Sequence, residues 1–391
     1  MTTASKNQRV LPGDNRALAS VAGQFFINGA VLASFVPRLP GIRDRLDVDL
    51  RTIGLLISLA TLGGLLGSVA VSPVLDRFGT KITMSSGALG LVIVLPLIGF
   101  VTAPWQLVLV LGALGAVDVL TDVGMNVQGS AISERRDTPV MNRLHGMWSL
   151  GTVVGGSIAS LMAWLGVGLQ AHLIGASLVL LVVLVWLVPG LRTDHDTPAQ
   201  DAQDQVGGTK ASGVVAIFLL LGGAAIIPEM VNSDWAAFRL TDDLGASESV
   251  AALAFVAFTS GMVTGRFLGD SIVVRLGSYT MLRATTAVAA VGVVIATLIP
   301  ALIAVFVGLF IAGLGVSLMF PQLYDNAAKA KQPGPALGGL TAGSRLALLG
   351  APAIVGFLAD TDAFSVGQAI ALVTIPAALA LLSLTPKPSA T

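Results

Sequence analysis

The chain of 391 residues contains no cysteine. That excludes disulfides, thiolate nucleophiles and cysteine-bound metal centres. Histidine is almost as scarce: His145, His172 and His195 are scattered, with no His-Glu-x-x-His pair. No Gly-x-Ser-x-Gly elbow and no phosphate-binding Gly-x-x-x-x-Gly-Lys loop occurs. The sequence therefore points to no enzyme, no metal and no cofactor. Charge is scarce too. Only 11% of residues are charged, against about 25% in soluble domains. The net charge is zero and no nucleic-acid-binding motif occurs, so no nucleic-acid partner is expected.

Apolar sequence fills the chain instead. Hydrophobic residues make up 54% and gather in twelve stretches: 16–36, 51–72, 82–101, 106–130, 145–165, 169–189, 213–235, 249–270, 279–299, 302–324, 336–359 and 365–385. A helix needs about 20 apolar residues to cross a bilayer. Lipid offers the backbone no hydrogen bonds, so each stretch must be helical. The expectation is an all-α, multi-pass membrane protein with twelve transmembrane helices. Met1 to Asn15 is polar and lacks the apolar core of a signal peptide, so the first stretch reads as a retained helix.

Lysine and arginine set the orientation. With both termini inside, the inner segments carry fifteen of these residues and the outer loops five: Arg38, Arg43, Arg45, Arg51 and Arg239. The positive-inside rule favours cytoplasmic termini. The first outer loop is the outlier, with Asp44, Asp47 and Asp49 interleaved among its arginines.

Residues 191–212 are rich in Asp, Gln, Thr and Gly and lack apolar periodicity. They read as a cytoplasmic linker between a six-helix bundle at 1–190 and another at 213–391. The halves also repeat. At an offset of 198, Gly67, Arg77 and Gly79 after the second stretch fall on Gly265, Arg275 and Gly277 after the eighth. Internal repeats with a site near the midplane between them are a mark of secondary transporters.

Ionisable residues deep in apolar stretches cost roughly 2.5–3.5 kcal/mol each on insertion scales, so they mark function. Asp118, Asp122 and Asn126 stand at i, i+4, i+8 on the fourth stretch and share one face. They are expected to line a cavity and, through Asp122 and Asp118, to carry protons; a network of structural hydrogen bonds is the alternative. Glu229 follows Pro228 on the seventh stretch and is the third candidate for solute or proton binding. Asn232, Asp234 and Trp235 come next, towards the outer surface; Trp235 suits either stacking on a solute ring or anchoring in the interface. Gln24 and Asn28 share a face of the first stretch, and their amides suit a hydroxyl-rich ligand. Arg345 needs a counter-charge or an anionic ligand; Glu229 is the expected partner, then Asp118. Small-xxx-small faces run along Gly151 and Gly155, along Gly261, Gly265 and Gly269, and along Gly339 and Gly343.

Six plus six helices, a central linker and the loop Ser72-Pro-Val-Leu-Asp76-Arg77-Phe-Gly79-Thr-Lys81 resemble the major facilitator superfamily. Ser72 replaces the leading glycine of that family's loop. Asp122-Val-Gly-Met-Asn126-Val-Gln128, His145-Gly-Met-Trp148-Ser-Leu-Gly151, Glu229-Met-Val-Asn-Ser-Asp234-Trp235 and the block Gly265 to Asp270 are similar to a bacterial branch related to fucose-type sugar permeases. Gly156 stands where drug antiporters of the superfamily carry a proline. The resemblance implies that the small-residue faces meet across the two halves. It also implies a gate latch of Asp76 with Arg77 and of Arg266 with Asp270. Asp325, at the cytoplasmic end of the tenth stretch, is expected from its place to close against the fourth helix, with a solvated helix end as the alternative. The resemblance implies a monomeric, proton-coupled symporter of the inner membrane, working by alternating access on a small polar solute, with sugar-like compounds among the candidates. An efflux carrier for amphipathic compounds and a non-transporting receptor or scaffold are the alternatives.

Overall fold

The computed structural model describes residues 14–136, 140–193, 213–330 and 332–385, apart from the side chains of 142, 269–276 and 278. Most of the 191–212 linker and the side chain of Asp270 lie outside the described residues. Everything described is helix or short connection. Eleven helical segments among the described residues are long and apolar enough to cross a membrane.

Helix α1 (Asp14–Phe35) passes through one 3-10 turn, Val36–Arg38, into the short α2 (Leu39–Leu46). Pro37 and Pro40 sit at the starts of those two pieces, where a missing N–H costs nothing. Asp49 then caps α3 (Leu50–Val94), accepting a 2.7 Å hydrogen bond from the Thr52 amide. The bonds from Thr52 hold the Asp49 carboxyl below its ordinary value.

Here the structure departs from the expected boundaries. The stretches 51–72 and 82–101 form one segment of 51 residues, Leu50–Phe100. It is broken inside at Gly79, whose φ of 74° and ψ of 170° are not helical. Such a φ is open to glycine at little cost and to few other residues. Gly277, its counterpart in the repeat, has a φ of 76° and separates α8 (Glu248–Leu276) from α9 (Ser278–Leu298). The two repeated glycines thus adopt the same conformation. The remaining helices are α4 (Pro104–Arg136), α5 (Met141–Trp164), α6 (Leu169–Leu187), α7 (Gly213–Phe238), α10 (Leu302–Val316), α11 (Met319–Ala328), α12 (Pro333–Ala359) and α13 (Val366–Leu384). The single stretch expected at 302–324 is therefore two helices.

Helix packing rests on glycine, and it corrects one expectation. The small-residue faces do not meet across the two halves, as the family resemblance implies; they pack within each half. A Cβ on Gly151 would fall 2.2 Å from the Phe26 carbonyl oxygen of α1, and one on Gly343 1.8 Å from the Leu219 oxygen of α7. Likewise Gly63 and Gly67 of α3 press on α4, at the oxygens of Gly112 and Ala116, and Gly261 and Gly265 of α8 press on α10 at Phe310 and Leu314. Gly63 and Gly261, like Gly67 and Gly265, are separated by the same offset of 198. The repeat seen in sequence is thus a repeat of helix contacts. Lipid tails are as apolar as leucine, so close backbone approach replaces the hydrophobic effect as the source of helix adhesion.

Contacts between the halves use other residues. Helix α5 packs on α8, and α3 on α12. The Ala353 amide of α12 donates to Ser58 Oγ of α3 at 3.0 Å. Ser160 Oγ of α5 donates to the Ser249 oxygen of α8 at 2.7 Å.

The face carrying the α1–α3 connection explains the outlying arginines of the first loop expected to be outer. Arg38 is buried, with 5% of its surface exposed, and its Nε donates to Glu248 at 2.7 Å. Arg43 pairs with Asp44 and with Asp242. Arg45 donates to the carbonyls of Gly99 and Ile98, each at 2.9 Å. Arg239 pairs with Asp243, which also accepts the amides of Val366 and Gly367 at the start of α13. These cations are engaged by protein partners. Two of the pairs, Arg38 with Glu248 and Arg43 with Asp242, tie the first half of the chain to the second.

This packing makes Gly343 and Gly350 unequal. Gly343→Val must displace backbone, so it should cost about 1–3 kcal/mol and lower the melting temperature in detergent. Gly350→Ala meets nothing within 4 Å and should leave it unchanged. Equal melting for both would contradict the contact. Arg38→Ala should loosen the tie to Glu248. A Leu39→Cys reporter in this cysteine-free chain should then react several times faster with an impermeant maleimide. An unchanged rate would mean that the pair does not hold this face closed.

Candidate functional site

A cavity of about 530 Å³ lies among α1, α2, α3, α4, α5, α7, α8 and α12, within the range of small-molecule sites. Much of its wall is aliphatic: Val31, Leu32, Leu39, Ile57, Leu91, Leu111, Leu114, Ile226 and Leu348 among others. Against this background stand Asn28, Asp118, Asp122, His145, Trp148, Glu229, Ser233, Asp234 and Arg266.

The helical repeat explains how these side chains converge. Asn28, Val31, Leu32, Phe35, Val36 and Leu39 recur at three- and four-residue spacing along the first helical segment, which puts them on one face. Leu111, Leu114, Gly115, Asp118, Asp122 and Met125 do the same on α4, and Ile226, Glu229, Met230 and Ser233 on α7.

Five of the polar side chains form one chain of contacts. Asn28 Nδ2 donates to Asp118 Oδ1 at 2.6 Å. Trp148 Nε1 donates to Asn28 Oδ1 at 2.8 Å. The Arg266 guanidinium lies 5.5 Å from the Trp148 ring centre, in reach of a cation–π attraction. Arg266 Nη1 donates to Ser149 Oγ at 2.7 Å, and its Nη2 lies 3.8 Å from Glu229 Oε1. The chain Asp118–Asn28–Trp148–Arg266–Glu229 thus runs from α4 through α1 and α5 to α8 and α7. It crosses from the first half of the sequence to the second. His145 packs edge-on against Phe25, with ring centres 5.1 Å apart. Among the described residues, Asp234 has no hydrogen bond and no ion pair.

The structure places the remaining expected residues elsewhere. Gln24 is fully buried one turn before Asn28, off the wall, and its amide has no hydrogen-bond partner among the described residues. Asn126 turns back on its own helix, donating to the Asp122 carbonyl at 2.8 Å and to Asp122 Oδ1 at 3.0 Å. Asn232 is buried and donates to the Pro228 oxygen at 2.7 Å, within α7. Trp235 is neither a stacking platform nor an interfacial anchor. It is fully buried, wedged between Gly54 of α3 and Gly356 of α12, with Phe238 beside it. Asp234, expected near the outer surface, faces the cavity.

Arg345 is a second correction. The sequence pairs it with Glu229 or Asp118. In the structure it is half-buried and makes no ion pair among the described residues; Asp122 is the acid that feels its charge. Arg266 takes the place beside Glu229. Its Cα sits towards the end of α8, and its long side chain carries the charge into the cavity. Of the other gate candidates, Asp76 and Arg77 are exposed and form no ion pair among the described residues; the Arg77 guanidinium lies over Phe78. Asp325 pairs with Lys329, just after its own helix, at 2.6 Å. Trp148, His145 and Ser149 carried no expectation of their own; the stretch His145-Gly-Met-Trp148-Ser-Leu-Gly151, quoted for the family resemblance, was the available signal.

Comparison with known proteins agrees with this architecture. An uncharacterized MFS-type transporter of Yersinia pestis is 27% identical over 387 residues, covering 96% of this chain and 98% of that protein. An uncharacterized transporter, y4wD, of Sinorhizobium fredii is 28% identical over 368 residues, covering 91% and 96%. The membrane protein MosC of Rhizobium meliloti is 26% identical, covering 81% of this chain and 77% of that one. Among solved structures, the nucleoside transporter NupG superposes with a TM-score of 0.71 at 14% identity, covering 97% of this chain and all of that one. A point mutant of NupG gives 0.74 at 13% identity, over 95% of this chain and all of that one. At such identity the likeness is one of fold. The sequence model of the Major Facilitator Superfamily matches residues 21–233. An all-helical fold around a central cavity, full-length transporter relatives and that match lead to one conclusion: the chain belongs to the major facilitator superfamily, as a multi-pass membrane transporter and not an enzyme.

Proposed function

We propose that the protein is a secondary active transporter that moves a small polar organic solute across the inner membrane by alternating access, coupled to protons. It is built as two six-helix bundles, 1–190 and 213–391, with twelve crossings, the segment Leu50–Phe100 counting as two that meet at Gly79. It works as a monomer with both termini in the cytoplasm. The relation to fucose-type permeases belongs to this reading.

One observation carries it. The contact chain from Asp118 to Glu229 spans both halves and lines the cavity. A group that binds there touches both halves at once and can therefore favour one arrangement over the other, which is what coupling requires. Asp118 and Asp122 lie one helical turn apart, and neither has an ion pair among the described residues. A proton reaching either removes a repulsion between like charges.

The conformation is read as inward-facing. The arginine pairs close the face predicted to be outer. Efflux of amphipathic compounds is the second reading, favoured by the aliphatic part of the wall.

Reconstituted protein should drive solute accumulation under an imposed proton gradient. Asp122→Asn should abolish accumulation against a gradient while the protein remains folded. Arg266→Met should lose more than Arg266→Met with Glu229→Gln together, because the single change strands a carboxylate in the cavity. Normal accumulation by Asp122→Asn, or additive losses in the Arg266–Glu229 cycle, would refute the assignment.

A further inference from the structure

The cavity holds more acids than cations, and that imbalance says something about its passenger. Four carboxyls reach the wall: Asp118, Asp122, Glu229 and Asp234. One guanidinium, Arg266, answers them, and it is matched by Glu229 at 3.8 Å. The partners of Asp118 and Asp122 are the amides of Asn28 and Asn126. An amide satisfies an oxygen lone pair and cancels no charge. Asp122 also feels Arg345 at longer range. Asp234 has no partner of either kind among the described residues. His145, the other titratable group of the wall, is set against the Phe25 ring.

We propose that the transported solute is a small organic cation, a protonated amine on a compact carbon skeleton, whose ammonium docks at Asp234 in the cavity that Asp118 also lines. This rests on the transport reading above and narrows it.

Three arguments support the choice. A carboxylate without a partner in a desolvated site is costly and finds compensation when a cation arrives. An ammonium carries hydrogen-bond donors and no acceptor, and it matches the free oxygens of Asp234. The aliphatic wall receives the carbon skeleton. An anionic solute would meet one cation that is already matched, and three further acids. A neutral sugar would leave Asp234 uncompensated. The arrangement also gives proton and solute a common target, because both neutralise the same acids.

The absence of cysteine allows a direct test of the field in the cavity. Thr61 lines the wall on α3, a helix that contributes none of the four carboxyls. Thr61→Cys, purified in detergent, is reacted with a cationic methanethiosulfonate (the ethylammonium reagent) and an anionic one (the ethylsulfonate reagent). Each rate is divided by the reagent's rate with free mercaptoethanol. A charge-lined cleft raises the local concentration of counter-ions about 10- to 1000-fold, so the normalised ratio should favour the cation by at least about tenfold. Asp234→Asn in the same background should lower that ratio severalfold. Cyclohexylamine should protect Thr61→Cys from labelling by an uncharged maleimide at concentrations where cyclohexanol does not.

A normalised ratio near one, or in favour of the anion, overturns the proposal, and this needs no Asp234 variant to fold. Equal protection by amine and alcohol, or protection by neither, overturns it as well. A ratio that survives Asp234→Asn unchanged rejects the docking site. No flux is measured in these arms. A cationic preference without transport in liposomes would sink the transport reading alone, and proton-driven flux with no charge preference would sink this inference alone.

Discussion

A charge inside a membrane has to be met by protein, because hydrocarbon does not solvate it. The rest of this structure depends on how that demand is met. Arg266 is the clearest case. Its guanidinium touches a serine, an indole ring and a carboxylate. Those partners belong to α5 and α7, so one buried cation draws together helices from the two halves of the chain. Asn28 extends the same chain to Asp118 by accepting from Trp148 and donating onward. No link is strong alone. An ion pair at 3.8 Å with both side chains 22% exposed is worth about 0–1 kcal/mol. That pair lies within the second half; the links that cross the halves, from Arg266 to Ser149 and to the Trp148 ring, are the ones that must break and re-form during a cycle.

The rigid parts of the molecule are held differently. Glycine faces bring α1 to α5, α3 to α4, α7 to α12 and α8 to α10 at backbone contact distance. Contact this close is rigid, since any side chain added there strikes a carbonyl oxygen. Between the halves, hydrogen bonds and ion pairs such as Arg38 with Glu248 and Ser58 with Ala353 stand beside a glycine contact, where Gly54 of α3 meets Pro352 and Gly356 of α12. Tight packing along each half, with exchangeable polar contacts among those between them, gives the mechanical conditions for one half to rock against the other.

The fold was legible because membrane helices are written in long apolar runs, and a repeat at offset 198 survives as a repeat of glycine contacts. Boundaries were less legible. Gly79 interrupts a helix without ending it, and Ser317 divides a run that hydropathy reads as continuous. In the site, Asn28, Asp118, Asp122 and Glu229 were found because polar residues in apolar stretches are conspicuous. Conspicuousness says nothing of helical phase. Gln24, Asn232 and Trp235 are equally conspicuous and turn to other helices. Asp234 lies one residue before Trp235, a rotation of about 100°, and faces the cavity. Charge partners were hardest to read. Arg345 stands nine residues inside its stretch and in the same half as Glu229, so the two were paired, while Arg266 near the end of its stretch was read as a gate residue. The reach of an arginine side chain, about as long as a helical turn, reverses that choice and is invisible to a count along the sequence.

Opposed movement of the two ends is the central claim, and pairs of spin labels measure it directly. One pair would sit at exposed Glu134 of α4 and Lys329 after α11, the other at Thr102 and Asp362 on the opposite face, each placed by cysteine substitution in a chain that has none. Distances would be taken by pulsed electron spin resonance in lipid nanodiscs, with Arg38 and Glu248 intact and with both replaced by alanine. The account predicts reciprocal change: loss of the Arg38–Glu248 tie lengthens the Thr102–Asp362 distance and shortens the Glu134–Lys329 distance. Two unchanged distances, or two that move in the same direction, would contradict it.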